Sequence, residues 1–193
     1  MSSPVGVLAV QGDFEKHREA LADCGIPSIE VRTTQDLARV DRLILPGGES
    51  TTVGLLLERY GLGEAIRRAA EEGMPLWGTC MGMILLASEV EGREQYTLGL
   101  LDATVRRNAF GAQVHSFEDT VEMAGFEPPI LGVFIRAPIV VRTGPGVEVM
   151  GTYGGKVVAV RQGVRIGTSF HPELTDDRRM HAWFASLGSG AQG

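Results

Sequence analysis

Four short apolar runs in the first half of the chain, VGVLAV (5–10), SIEVR (28–32), RLILPGG (42–48) and MPLW (74–77), are each followed by a helical pattern. No other feature limits the fold as much. Apolar runs of this length read as strands covered on both faces, and strands alternating with helices build a parallel sheet with helices on either side. Such sheets take their ligands beyond the carboxyl ends of the strands. The helical patterns are DFEKHREALADCG, with Phe14, Leu21 and Cys24 on one face, then QDLARV, STTVGLLLERYG, LGEAIRRAAEEG and MGMILLASEV.

From Leu98 to Phe170 the pattern changes to short β segments separated by glycine turns: LGLLDATVRR, GVFIRAPIVVR, VEVMGTYGG, KVVAVRQG and VRIGTSF. They predict a mixed or antiparallel extension of the same sheet. A last helix, DDRRMHAWFASLG, is capped by Thr175 or Asp176 and turns Met180, Trp183, Phe184 and Leu187 inward. The expected fold class is therefore α/β, a single three-layer domain over residues 1–188 with a central, mostly parallel (mixed) sheet flanked by helices, and residues 189–193 as a flexible tail.

A length of 193 residues with 44% hydrophobic and 22% charged residues suits one domain with a full core. The net charge of −6 excludes a chain-wide surface for nucleic acid or anionic membrane, which would need clustered Lys and Arg. No apolar run approaches the roughly 18 residues of a membrane span, and the N-terminus lacks a basic leader, so a cytoplasmic protein is expected. The two cysteines, Cys24 and Cys80, are expected as free thiols in a reducing compartment. Cys24, at the apolar end of a helix, reads as core.

Cys80 has a different setting. In Gly78-Thr79-Cys80-Met81-Gly82 the thiol stands between a strand and a helix with glycine two residues away on each side. This is the pattern of a nucleophile elbow, in which small neighbours permit a strained turn and the side chain projects from the sheet edge. A helix N-terminus there favours a thiolate and can hold an oxyanion. A buried cysteine in a glycine-rich turn fits the same five residues. A nucleophile needs a base, and the chain has four histidines. His17, His115 and His181 read as surface or helix-packing residues. His171 ends the run VRIGTSF and precedes Pro172 and Glu173; proline favours extended backbone before it, which turns positions 171 and 173 to one side. Glu173 then orients the imidazole, completing a Cys-His-Glu arrangement.

A further strand-to-helix turn, LILPGGESTTVG, offers the backbone N–H groups of Gly47, Gly48 and Glu49 to an anion. It lacks the lysine of a P-loop, and GTYGGK (151–156) reads as a hairpin turn. The residues taken alone predict a cysteine-dependent acyl-transfer enzyme of unspecified substrate.

In combination, GTCMG, FHPEL, PGGEST and AVQGDF resemble the class I (triad) glutamine amidotransferases. RRNAFG and FIRAP narrow the resemblance to the glutaminase subunits of pyridoxal 5′-phosphate synthases. The resemblance spans nearly the whole chain and implies a flavodoxin-like, class I amidotransferase fold. It implies that Cys80 attacks the side-chain amide of L-glutamine, that His171 passes the proton to departing ammonia, and that Glu173 holds His171. Gly47, Gly48, Glu49, Arg107, Ile135 and Arg136 would contact the substrate, and Gln11, Gly12, Met81 and Gly48 would shape a gated oxyanion hole. An arginine suits the α-carboxylate and an acid the α-ammonium. The implied partner is a synthase subunit, a (β/α)8 barrel with a dodecameric core, that consumes the ammonia. No cofactor or metal is implied for this chain. Two departures stand out: Met81 occupies a position where such elbows often carry a smaller residue, and the Arg106-Arg107 pair is placed in register by Asn108. Alternatives are a related cysteine hydrolase, a glutaminase serving another synthase, and a non-enzymatic regulatory subunit.

Overall fold

The computed structural model describes residues 3–111 and 115–188, so the tail expected at 189–193 lies outside the described residues. The first half of the chain folds as β1 (Val5–Leu8), α1 (Phe14–Asp23), β2 (Ser28–Val31), α2 (Thr34–Leu37), β3 (Leu43–Leu45), α3 (Ser50–Arg59), α4 (Leu62–Glu71), β4 (Leu76–Thr79) and α5 (Met81–Leu86). The second half supplies β5 (Ala87–Val90), β6 (Leu101–Arg106), β7 (Ser116–Met123), β8 (Phe126–Ile135), β9 (Ile139–Thr143), β10 (Glu148–Tyr153), β11 (Lys156–Gln162), β12 (Arg165–Thr168) and α6 (Arg179–Ser186).

Among the described residues, the strands form one 12-stranded sheet whose main path runs β2-β1-β3-β4-β12-β11-β10-β7-β8. The first five strands of that path are mutually parallel, and the pairing turns antiparallel at β12–β11. The parallel part is doubly wound: the chain steps outward from β1 to β2, then crosses back to β3, leaving a crevice at the carboxyl ends of β1 and β3.

Every residue of β1, β3 and β4 is buried. The period of two divides their side chains between two cores. Leu43, Leu45 and Leu76 pack with Val53, Leu57, Leu62 and Ile66 of α3 and α4. Ile44 and Trp77 face the other way, onto Leu21 of α1 and Met180 and Phe184 of α6. The helices thus flank the sheet as their apolar faces require.

Several elements differ from the sequence reading. The helix expected over MGMILLASEV stops at Leu86, and Ala87–Val90 becomes β5, because pairing with β6 through Ala87↔Leu101 and Val90↔Val105 outweighs the local helical pattern. Strand β7 was not legible: SFEDTVEM is mostly exposed, and its register with β8, from Ser116↔Ile135 to Met123↔Phe126, makes it a strand. Neither Thr175 nor Asp176 caps α6. Asp177 takes the Arg179 N–H at 3.2 Å, while the Thr175 hydroxyl accepts from the Asp177 N–H at 3.1 Å. Cys24 is half-buried, its thiol 3.8 Å from the Arg178 carbonyl oxygen. The Gly154-Gly155 turn joins β10 to β11 with both φ angles positive, as a two-residue hairpin requires.

Candidate active site

Strand β4 ends at Thr79, and the next residue holds φ 52°, ψ −108°. For an L-residue this region is strained by about 1–3 kcal/mol. The strain at Cys80 is locked from both sides. Its N–H donates to the Thr168 carbonyl of β12 at 2.7 Å, and its carbonyl accepts from Met83 and Ile84 in the first turn of α5. A Cβ on Gly78 would lie 2.4 Å from the Gly82 oxygen, and one on Gly82 would lie 1.9 Å from the Leu45 oxygen. Both flanking glycines are required because backbone passes where a side chain would stand.

Strand β12 lies beside β4 and carries the chain to His171, whose N–H donates to the Val133 carbonyl of β8 at 2.7 Å. Pro172–Leu174 is one 3₁₀ turn rather than the extended segment expected, and this turn brings Glu173 back under the imidazole. His171 Nδ1–H donates to Glu173 Oε1 at 2.5 Å, which leaves Nε2 for the Cys80 thiol. Burial alone disfavours the imidazolium, but the hydrogen bonds and charges of Cys80 and Glu173 outweigh it and push the His171 pKa up to about 11. Glu173 is 2% exposed, so its carboxylate depends on these partners.

Cys80, Met81 and His171 open into a cavity of about 430 Å³. Its other walls follow the fold: Asp13 after β1, Gly48 and Glu49 after β3, Arg107 and Asn108 after β6, and Ile135 and Arg136 at the end of β8. Among the described residues, the non-glycine positions with positive φ are Cys80, Asn108 and Arg136, and all three line this cavity. Strained backbone gathers at functional sites, where the surrounding structure holds it.

The Ile135 carbonyl oxygen stands 3.7 Å from Cys80 Sγ. Arg107, not Arg106, faces the cavity; Arg106 pairs with Glu91, in the turn just after β5. Arg107 donates to Gln95 Oε1 at 3.0 Å, and Gln95 donates to Ser50 Oγ at 3.3 Å. Burial and the charge of Arg93 work against the Arg107 cation, while Glu49 and the Cys80 sulfur favour it. Glu49 is the exposed N-cap of α3; hydrogen bonds from Thr52 and Thr51 outweigh a slight desolvation and hold its pKa at about 2, so it remains an anion at the cavity wall.

Gly47, Gln11 and Gly12 stand one layer back from the cavity. A Cβ on Gly47 would meet His171 Cε1 at 2.6 Å, and Gly12, at φ +100°, is packed on the Gly47 carbonyl. The turn after β1 therefore rests directly on the 47–48 turn, with Asp13 N–H donating to Gly47 O at 3.2 Å. Asp13, His171 and Glu173 bring carboxylate and imidazole atoms within 4.8 Å of one another, but His171 and Glu173 are already engaged with each other.

The sequence reading placed His17 and His181 at the surface or in helix packing. Both are fully buried, with His17 Nδ1 2.9 Å from His181 Nε2. The periodicity contained the signal, since His17 lies four residues before the buried Leu21 and His181 three before Phe184. Asp13 and Asn108 had no such signal, because their turns are positioned by the sheet. A buried thiol beside an imidazole held by a carboxylate is equipped for nucleophilic attack on an acyl carbon.

A sequence model of the SNO glutamine amidotransferase family matches residues 7–187. The pyridoxal 5′-phosphate synthase subunit PdxT of Thermus thermophilus is 55% identical over 189 residues, covering 97% of this chain and 98% of the relative. That of Mycolicibacterium vanbaalenii is 53% identical over 192 residues, with 96% and 98% covered. A crystal structure described as a glutamine amidotransferase superposes with a TM-score of 0.90 at 51% identity, covering 95% of this chain and 99% of the other. PurLQS from Thermotoga maritima shares the fold at a TM-score of 0.67 and 19% identity, over 95% and 98% of the two chains. Among the described residues, no helix is long and apolar enough to cross a membrane.

Proposed function

Because the chain belongs to the SNO glutamine amidotransferase family, we propose that it is the glutaminase subunit of a pyridoxal 5′-phosphate synthase, hydrolysing L-glutamine to L-glutamate and ammonia. The observation that carries this reading is that Cys80 and His171, the latter held by the buried Glu173, line a cavity whose walls also hold a cation, Arg107, and an anion, Glu49. A free amino acid needs both charges.

His171 takes the thiol proton on Nε2, and Cys80 sulfur bonds to the side-chain amide carbon. The oxyanion formed is met by backbone N–H groups at Met81 and the Gly48 turn, with Gln11 and Gly12 behind that turn setting its shape. Collapse of the adduct breaks the C–N bond as His171 returns its proton to the nitrogen, releasing ammonia. Water, deprotonated by His171, then attacks the thioester and frees glutamate and the thiol. Arg107 clamps the α-carboxylate, Glu49 the α-ammonium, and the backbone at Ile135 and Arg136 closes the wall beside them. The ammonia passes to a synthase subunit, a (β/α)8 barrel with a dodecameric core, in the cytoplasm.

Glutamate release from glutamine, followed with and without the synthase subunit, tests the proposal. Release that rises when the synthase is added is the expected outcome; a chain that releases no glutamate under either condition overturns it. Arg107 gives a sharper check of the pose. Losing a charge-assisted hydrogen bond removes roughly 1.5–3 kcal/mol, so Arg107→Gln should raise the KM for glutamine about 10- to 100-fold with a smaller change in kcat. Arg106→Gln, which loses only the exposed pair with Glu91, should leave both constants near wild type.

A further inference from the structure

Glu173 has two oxygens, and the mechanism uses one. Oε1 accepts from His171, whereas Oε2 is buried and has no hydrogen-bond partner among the described residues. An unsatisfied buried carboxylate oxygen is expensive. The ring nitrogen facing it is His17 Nε2 of α1, 3.6 Å away, which also lies 3.2 Å from the hydroxyl oxygen Oγ1 of Thr79, the residue before Cys80.

Two observations choose the same tautomer for this imidazole. His181 Nδ1 is buried without a hydrogen-bond partner among the described residues, which is tolerable for a bare nitrogen and costly for an orphaned N–H. His181 therefore carries its proton on Nε2 and donates it to His17 Nδ1 at 2.9 Å. His17 then carries its own proton on Nε2, pointing at Thr79 Oγ1 and Glu173 Oε2. The opposite tautomer would set a lone pair against the carboxylate. Burial keeps both rings neutral: it drives His17 well below its ordinary range, with His181 and His171 adding to the effect, and pushes His181 down to about 3, with Arg178 adding and Asp177 opposing. Edge contacts with Trp77, 5.8 Å for His17 and 4.9 Å for His181, hold the two rings in place.

We propose that His17 is a positioning residue for the reaction: its Nε2–H holds the second oxygen of Glu173, and His181 fixes the tautomer that makes this possible. With one oxygen on His171 and the other facing the His17 dipole, the carboxylate cannot swing away from the imidazole as it gains its proton. The role rests on the glutaminase reading only for its kinetic consequence; its effect on the Cys80–His171 pair does not.

The test compares His17→Gln with His17→Asn. Glutamine places an amide N–H near the Nε2 position and keeps the approach to Glu173. Asparagine reaches only the Nδ1 position, facing His181. Both introduce a polar side chain into the same packed site, so a purely structural role predicts equal damage. The positioning role predicts that His17→Asn loses about tenfold in kcat with KM within about twofold, while His17→Gln stays within about threefold of wild type.

Iodoacetamide alkylation of Cys80 in the chain alone, without glutamine or synthase, supplies an independent reading. The groups facing Glu173 are His171, His17 and Asp13, and those facing His181 include Arg178 and Asp177. Weaker support for Glu173 makes His171 less basic, so the acid limb of alkylation should move up by about one pH unit in His17→Asn and not in His17→Gln. Equal kinetic losses in the two variants, or an unmoved alkylation limb in a folded His17→Asn, overturn the proposal. A shifted limb in a chain that releases no glutamate would leave the positioning role standing and remove the glutaminase reading instead. Should His17→Asn fail to fold, His181→Phe, which removes the donor that fixes the tautomer, should show the same limb shift; its absence in a folded His181→Phe overturns the proposal.

Discussion

Cys80→Ala should abolish glutamate release, lowering kcat by at least about 10⁴-fold, or about 5 kcal/mol of transition-state stabilisation. The size follows from what is lost. Without sulfur there is no thioester, and the remaining route is direct attack of water on an amide, aided only by the oxyanion donors and the binding cavity. Removing a nucleophile from a triad leaves only that residual catalysis. The fold should survive, because the strained backbone at φ 52° is held by the Cys80 N–H on Thr168 and by Gly78 and Gly82, none of which alanine disturbs. A melting curve near wild type together with lost release assigns the effect to chemistry. Release above about 1% of wild type in the folded variant would remove Cys80 from the nucleophile's role.

The second large effect is on stability. Gly82→Ala should destabilise the chain by about 3 kcal/mol or more, a fall of about 6–12 °C in Tm for a domain of this size. Helix propensity argues the other way, since alanine in α5 gains about 1 kcal/mol over glycine. Sterics win: the new Cβ would lie 1.9 Å from the Leu45 oxygen and 2.8 Å from its carbonyl carbon, and β3 is buried backbone with nowhere to move. The same displacement pushes α5 and the Cys80 turn out of line, so activity should fall with stability. A Tm within 2 °C of wild type would show that the elbow tolerates a side chain there and that its glycine has another reason.

The parallel half of the fold was legible because its causes are local. Apolar runs of four to six residues and the helices between them are short-range patterns, and right-handed parallel crossovers leave few ways to arrange them. The elbow at Cys80 was legible for the same reason, since a strained turn writes its glycines on both sides. His171 and Glu173 were found by nearness in sequence, although the extended backbone expected between them is a 3₁₀ turn. Where pairing partners are remote the signal failed. The strand Ser116–Met123 carries Glu118, Asp119 and Glu122 and owes its conformation to its hairpin partner. The segment Ala87–Val90 reads as the end of a helix and is a strand only because β6 lies beside it.

By itself the sequence determined the strand–helix alternation of the first half, the two-sided burial of β1, β3 and β4, and the strand-to-helix turn at Cys80 with its flanking glycines, since each depends on residues within a few positions of one another. Tertiary structure alone decided that Asp13 joins the cavity wall, which backbone carbonyl meets the thiol, and that two histidines more than 160 positions apart lie 2.9 Å from each other behind Glu173. Those outcomes follow from register and strand order across the sheet, which sum many weak long-range contacts that no short stretch of chain contains.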